Sequence, residues 1–323
     1  MATLSALTQM NIIEAQKRAG FTDAEDFLGD LVQNNDFLNL VPFLESSDGM
    51  FHKYLSATKL GKGSWGKVNS PVGKISSQSD LEKIPVHIYE ADSEIDERIF
   101  KSGTAEQKKK VRMSEDIANL EGFMQDWMNG LIYGAASAGG YEGLANIRGT
   151  IDNKTVWSAG GSSSGSLTSL WLFEFGKNAF NLRYPSGSRP GFNTDDRGRH
   201  KVDAPTGSGQ LWAWITHMEI LAAIQIKRAG ALQRMANIAT SGSSNIFSPS
   251  ILIKMKNQLP NMGRNAVAFV NRTVHGQVED NAYNKTNMAY KLSDIENFGP
   301  VPTVAGIPVM TMETITDTET TVS

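Results

Sequence analysis

Cysteine is absent from the 323 residues, which excludes disulfides, thiolate metal sites and cysteine nucleophiles. A long apolar run is missing too. Nothing approaches the roughly 18 residues of a membrane span, and the N-terminus has no basic region followed by an apolar one. The expectation is a soluble protein made in a cytosol, with no membrane contact. Charge of one sign is also scarce: the net charge of -3 supplies no overall pull toward nucleic acid or an anionic surface. The length allows about two domains and a sizeable core.

What is present is organised around residues 104 to 134. Met113, Ile117, Leu120, Met124, Trp127, Met128 and Leu131 recur at steps of three and four, which predicts one long α-helix. Thr104 and Gln107 have the form of a capping box after Gly103, and Gly134 is placed to end the helix in a left-handed residue. At about 1.5 Å per residue the helix is roughly 45 Å long, the span of a small domain. From Glu106 to Asp116 it is charged nearly all round, so that half lies in water or on a polar surface.

Before the helix, residues 1 to 50 read as an arm of short helices, with Phe27, Leu28, Leu31, Leu38, Leu40 and Phe43 as apolar positions that need cover from elsewhere. Residues 51 to 95 read as a long hairpin: two extended segments around a connection rich in Gly, Ser and Lys, with no evident core. Lys53, Lys59, Lys62, Lys67, Lys74 and Lys83 lie on it, with Trp65 in the connection, and Pro85 keeps the return strand out of a sheet centre. Lysines on an edge keep strands from pairing with other chains. The acidic run Glu90, Asp92, Glu94, Asp96, Glu97 suggests a second use, in which the basic hairpin of one subunit lies across an acidic surface of the next. The intersubunit candidates are therefore Lys59, Lys62, Trp65, Lys67, Lys74, Glu90, Asp92 and Glu94.

After the helix the chain is rich in Gly, Ser and Ala to about residue 166 and then turns strand-like, with a strand pair closing near Gly176. Residues 211 to 238 fit both helical and strand periods. Residues 248 to 262 read as a helix with Ser248 as its cap, 266 to 278 as a strand, 195 to 203 as a polar loop of mixed charge, and the tail as a last strand after Gly306.

Several stretches imitate catalytic motifs. Gly161-Ser162-Ser163-Ser164-Gly165 matches a hydrolase nucleophile elbow, but a strand-like segment follows where a helix is required. Ser166 stands where a phosphate loop needs lysine. The five histidines never fall at the helical spacing of a zinc site, and His217 with Glu219 shares a face only on a strand, where a hydrogen-bonded structural role is expected. No catalytic, cofactor or metal site is expected.

The order of arm, basic hairpin, long helix, Gly-rich middle and returning strand resembles the major capsid proteins of tailed phages, the Hong Kong 97 fold. DWMNGLIYG with YEGLANIRG (126 to 149), SLWLFEFGKNAFNLRYPSGSRPGF (169 to 192), ITHMEILAAIQIKRAGALQRMANI (215 to 238) and FVNRTV (269 to 274) are similar to capsid proteins of short-tailed phages of the epsilon-fifteen type. The chain departs from that pattern at Ala223, Arg228 and Gly230, where relatives tend to carry glycine, aspartate and arginine. The resemblance implies an α+β capsid fold: arm 1–50, extended loop 51–95, peripheral domain with spine helix 96–145, axial domain 146–298 and a return to the peripheral domain at 299–323. It implies pentamers and hexamers closing into an icosahedral shell around double-stranded DNA, in a virion assembled in the host cytoplasm. Implied partners are a separate scaffolding protein, residues 1–50 being short for a built-in one, a portal and a decoration protein. Gly122, Gly130, Gly139 and Gly140 are the hinge candidates. Two other readings are an encapsulin-type compartment and a serine hydrolase using Ser163.

Overall fold

The computed structural model describes residues 36–69, 71–101, 104–136, 139–204, 209–283, 290–295 and 299–323. The helices expected before residue 36, and Gly103, lie outside these. The elements in order are α1 (Phe37–Leu40), β1 (Phe43–Glu45), β2 (Phe51–Lys59), β3 (Gln78–Pro85), β4 (His87–Asp96), α2 (Ala105–Tyr133), α3 (Leu144–Ile147), β5 (Val156–Ser158), β6 (Leu167–Glu174), β7 (Phe180–Tyr184), β8 (Phe192–Asp203), β9 (Gln210–Ile226), β10 (Leu232–Ala239), α4 (Pro249–Gln258), β11 (Ala266–Val270), α5 (Arg272–Tyr283), β12 (Tyr290–Ile295), β13 (Gly299–Val304) and β14 (Ile307–Thr311).

The long helix α2 forms as expected, and its capping box is complete: Thr104 Oγ1 accepts from Gln107 N at 3.3 Å and Gln107 Oε1 accepts from Thr104 N at 2.9 Å. Its expected stripe is buried at Trp127, Met128 and Leu131 and partly buried at Ile117, Leu120 and Met124, but it departs at the N-terminal end. Met113 is exposed, and Val111, Ser114, Phe123, Trp127, Met128, Leu131 and Ile132 are buried. Gly134 is not left-handed; with φ -56 and ψ 153 it leaves the helix extended. Its constraint is contact, because a Cβ there would meet Gly130 O at 2.2 Å.

A five-stranded sheet runs β1-β7-β9-β4, with β8 alongside β9. The 17-residue β9 is its spine: β4 pairs along one edge, and β8 and then β7 follow each other on the other. The supposed loop 195–203 is therefore part of β8. The sequence reads as a loop because its alternating charges have no apolar period; Asp196 pairs with Arg112 of α2, Arg197 with Asp92 of β4 and Arg199 with Glu97 in the turn between them. A seven-stranded sheet runs β12-β13-β14-β11-β6-β10-β5. The ambiguous 211–238 region is thus two strands, and each pairs into a different sheet.

One core lies where α2 meets both sheets (Trp127, Leu131, Trp171, Phe173, Phe180, Ile220, Phe269), and a second lies under α4 and α5 (Leu170, Leu252, Met255, Val274, Val278). Phe37 on α1 is fully buried against Phe173, Phe175, Phe180 and Phe269, with ring centroids 5.1–6.2 Å apart. Only residues 266–270 of the expected C-terminal-half strand are extended. Asn271 then caps α5, its Oδ1 accepting from Val274 N at 2.9 Å. Ser248 precedes α4, but its side chain does not cap it. The expected last strand after Gly306 is β14, and β13 precedes it, the two joined at Ala305 and Gly306, both at positive φ as a tight hairpin turn requires.

Candidate assembly surface

Among the described residues, strands β2 and β3 pair only with each other, and apart from a base at His52 and Ile84 they are largely exposed. The return segment divides at Val86, whose N–H donates to Met50 O at 2.8 Å, and its second half becomes β4 of the first sheet. Pro85 sits at the end of β3, opposite Phe51. Lys59, Lys62, Trp65, Lys67 and Lys74 are all exposed on the hairpin and its tip. Beside them the tip exposes Leu60, Val68, Val72 and Ile75, which charge-led reading of the sequence missed. Their signal was weak: single apolar residues in a Gly/Ser-rich stretch have no period.

On β4, alternation places Glu90, Asp92 and Glu94 on the sheet face turned away from α2, and Ser93 on the α2 side, where it accepts from Asn119 Nδ2 at 2.9 Å. Glu219 of β9 and Asp195 of β8 share the outer face by register. His217 lies among them, buried, with Nδ1 2.6 Å from Asp92 Oδ1 and Nε2 3.8 Å from both Glu90 and Glu219. It is a hydrogen-bonded structural residue, as its strand spacing suggested. Arg197 reaches Asp92 at 3.7 Å. The face remains acidic around His217 and Arg197.

The hinge candidates separate. Gly130, Gly139 and Gly140 line one cleft of about 360 Å³ with His87, Tyr89 and Trp127, while Gly122 lies two turns away on α2. A Cβ at Gly122 or Gly130 would meet nothing within 4 Å, so packing inside this subunit does not require either glycine. Gly139, at φ +85, is held by its backbone conformation.

A buried polar cluster that the sequence did not signal joins the end of α2 to the tail. Arg234 Nη2 donates to Glu319 at 3.0 Å, both side chains being 4 % exposed. Ser169 Oγ donates to the same carboxylate, and Tyr133 OH donates to its other oxygen at 2.7 Å. Burial and the Glu319 charge raise the Tyr133 phenol well above its ordinary value. These residues are far apart in sequence and belong to four different elements, so no local pattern connects them.

Ser163 lies in a turn that leads directly into β6, so the strand–turn–helix of a nucleophile elbow is not formed. No cluster of three metal-ligating side chains occurs among the described residues, and none of their helices is long and apolar enough to cross a membrane.

The sequence matches the family model "Major capsid protein GP7" over residues 25–323. The chain belongs to that family. This capsid protein is structural, a subunit of the icosahedral shell of a tailed phage and not an enzyme. Its fold is similar to the bacteriophage epsilon15 structure, with TM-score 0.69 and 20% identity over 100% of this chain and 99% of that one. It is also similar to the capsid of bacteriophage JBD30, with TM-score 0.51 and 9% identity over 91% and 95% of the two chains. These likenesses place it in the Hong Kong 97-like fold. The SrpI encapsulin of Synechococcus elongatus matches at TM-score 0.43 and 7% identity, over 75% of this chain and 99% of that one, and carries no weight here. No curated protein is similar in sequence.

Proposed function

We propose that this capsid subunit assembles through its hairpin, the basic and apolar tip of one copy lying across the acidic outer face of β4, β8 and β9 in the next. The observation that carries this is the tip itself. Leu60, Trp65, Val68, Val72 and Ile75 are exposed in a single subunit, and a large apolar side chain gains roughly 1.5–3 kcal/mol on full burial. Lys59, Lys62, Lys67 and Lys74 around them complement Glu90, Asp92 and Glu94. Heterologous contacts of this kind close into rings, here pentamers and hexamers, and the rings into a shell around double-stranded DNA. The virion would be assembled in the host cytoplasm with a separate scaffolding protein, a portal and a decoration protein.

The proposed division is an arm at 1–50, an extended loop at 51–95 whose last strand already belongs to the first sheet, a peripheral domain at 96–145, an axial domain at 146–298 and a return at 299–323. The Tyr133–Glu319 hydrogen bond supports a return that is completed at the end of α2. Gly122, Gly130, Gly139 and Gly140 are the proposed points of bending between precursor and mature shells.

Electron microscopy of the purified chain, alone and with a scaffolding partner, across low and high salt, tests this. Closed shells whose yield falls as salt rises are expected, since ion pairs at a rim are screened. Only monomers in both samples, or yields independent of salt, would contradict the charge-matched contact.

A further inference from the structure

The near-neutral total conceals a segregation between the two faces of the first sheet. On the side of α2, beyond the core, β8 and β9 bring Arg199, Lys201, Trp212 and Trp214 onto one face by register. Arg199 is fixed by Glu97 at 2.7 Å and lies 4.6 Å from the Trp212 ring centroid; Lys201 lies 5.7 Å from the same indole, which is 44% exposed. Arg112 of α2 lies 5.3 Å from the Trp214 ring and donates to Asp196 at 2.6 Å. One turn before it, Lys108 faces the same side of the helix, with Lys109 exposed beside it. Apart from Arg197, which turns to Asp92 on the opposite face, segments 96–112 and 196–203, which meet here, hold eight Lys or Arg against five Asp or Glu.

We propose that this end of the sheet, on the α2 side, is a contact for the phosphate backbone of double-stranded DNA; the proposal rests on the capsid reading above. Three features favour that occupant. Three of the acidic side chains nearest the patch are engaged, Asp96 by Arg98, Glu97 by Arg199 and Asp196 by Arg112, so Lys101, Lys108, Lys109 and Lys201 outnumber the remaining Glu106 and Asp203 and set the outward potential. Lys108 and Lys109 stand in the first turns of α2, where the positive end of the helix dipole disfavours them and a polyanion offsets that cost. The long amides that could read bases are also occupied, Gln107 by the capping box and Gln210 by Asp203, so the surface suits backbone contact without sequence preference.

The test uses the full-length chain and a labelled random duplex of about 30 base pairs, followed by fluorescence anisotropy across a salt series. Two variants carry the same charge change: Lys101→Gln, Lys108→Gln, Lys109→Gln and Lys201→Gln together, and Lys59→Gln, Lys62→Gln, Lys67→Gln and Lys74→Gln together. The patch variant should bind about tenfold or more weakly at low salt, with a log–log salt slope shallower by roughly three, while the hairpin variant keeps its affinity. Equal loss in both variants, no loss in the patch variant, or no binding by the unaltered chain would overturn the proposal. So would a patch variant that keeps DNA binding but loses its shells in the microscope, which would assign the surface to a protein partner. Absence of shells from the unaltered chain would instead break the capsid reading and leave the binding comparison legible.

Discussion

Strands β3 and β6 each run eight residues, and their surroundings are opposite. Every residue of β6 is buried between strands β10 and β11 and beneath helices, whereas β3 has one partner strand and only Ile84 partly covered. The first belongs to a unit stabilised by its own packing. The second is held chiefly by its pairing with β2, with Lys83 over the Phe51 ring, and presents apolar residues that nothing among the described residues covers. Stability therefore resides in the sheets and α2, and the proposed assembly contact falls on a segment that contributes little to it.

Mutations can sharpen this division. The largest effect is expected in the core: Phe173→Ala should destabilise the subunit by about 3–5 kcal/mol in denaturant unfolding, because four aromatic neighbours pack on that ring. Glu319→Ala should cost a similar amount, about 3–5 kcal/mol, by leaving Arg234 buried without its counter-charge. A cost below about 1 kcal/mol would show that the tail is not part of the folded unit. Trp65→Ala should leave unfolding within about 0.5 kcal/mol of the unaltered chain and still prevent shell formation. If it destabilised the subunit as Phe173→Ala does, the division would fail.

Smaller effects are expected on α2. Gly130→Ala should stabilise the isolated subunit by about 1 kcal/mol, since the added methyl meets nothing, and should impair shell expansion if the helix bends there. Normal expansion would remove Gly130 from the hinges. The Arg112 hydrogen bond, followed by backbone contact from Gly198, holds the Asp196 carboxyl below its ordinary range. A lowered folded-state value means that its stabilisation is complete above about pH 4 and is lost as pH falls through that value. Asp196→Asn should flatten the acid side of the stability profile by a small amount, the group being largely exposed.

The parts legible in the sequence were those with local signals. Helix α2 was marked by its period and by Thr104 and Gln107, and the hairpin by Gly and Ser between two extended runs. Its burial was misread at Met113, because the apolar stripe and the charged half drift relative to each other around the helix. Strand β8 was hidden since Asp196, Arg197 and Arg199 are satisfied by Arg112 of α2, Asp92 of β4 and Glu97 of the turn between them, which no alternation records. The helix after Asn271 was missed because a single capping residue was outweighed by the apolar run Ala266–Val270 before it. The acidic face was only half visible: Glu90, Asp92 and Glu94 alternate on β4, but Glu219 and Asp195 join them through register. Arg234 and Glu319 are 85 residues apart and Tyr133 and Glu319 are 186 apart, so their cluster could come only from the fold.

The most direct measurement is a high-resolution cryo-electron microscopy map of shells assembled from the full-length chain. Hairpin tips should lie on a neighbouring subunit, with Trp65 covered and Lys59, Lys62, Lys67 or Lys74 within ion-pair distance of Glu90, Asp92 or Glu94 of that neighbour. A map in which the tips project into solvent, or in which the outer face of β4, β8 and β9 is bare, would contradict assembly through the hairpin.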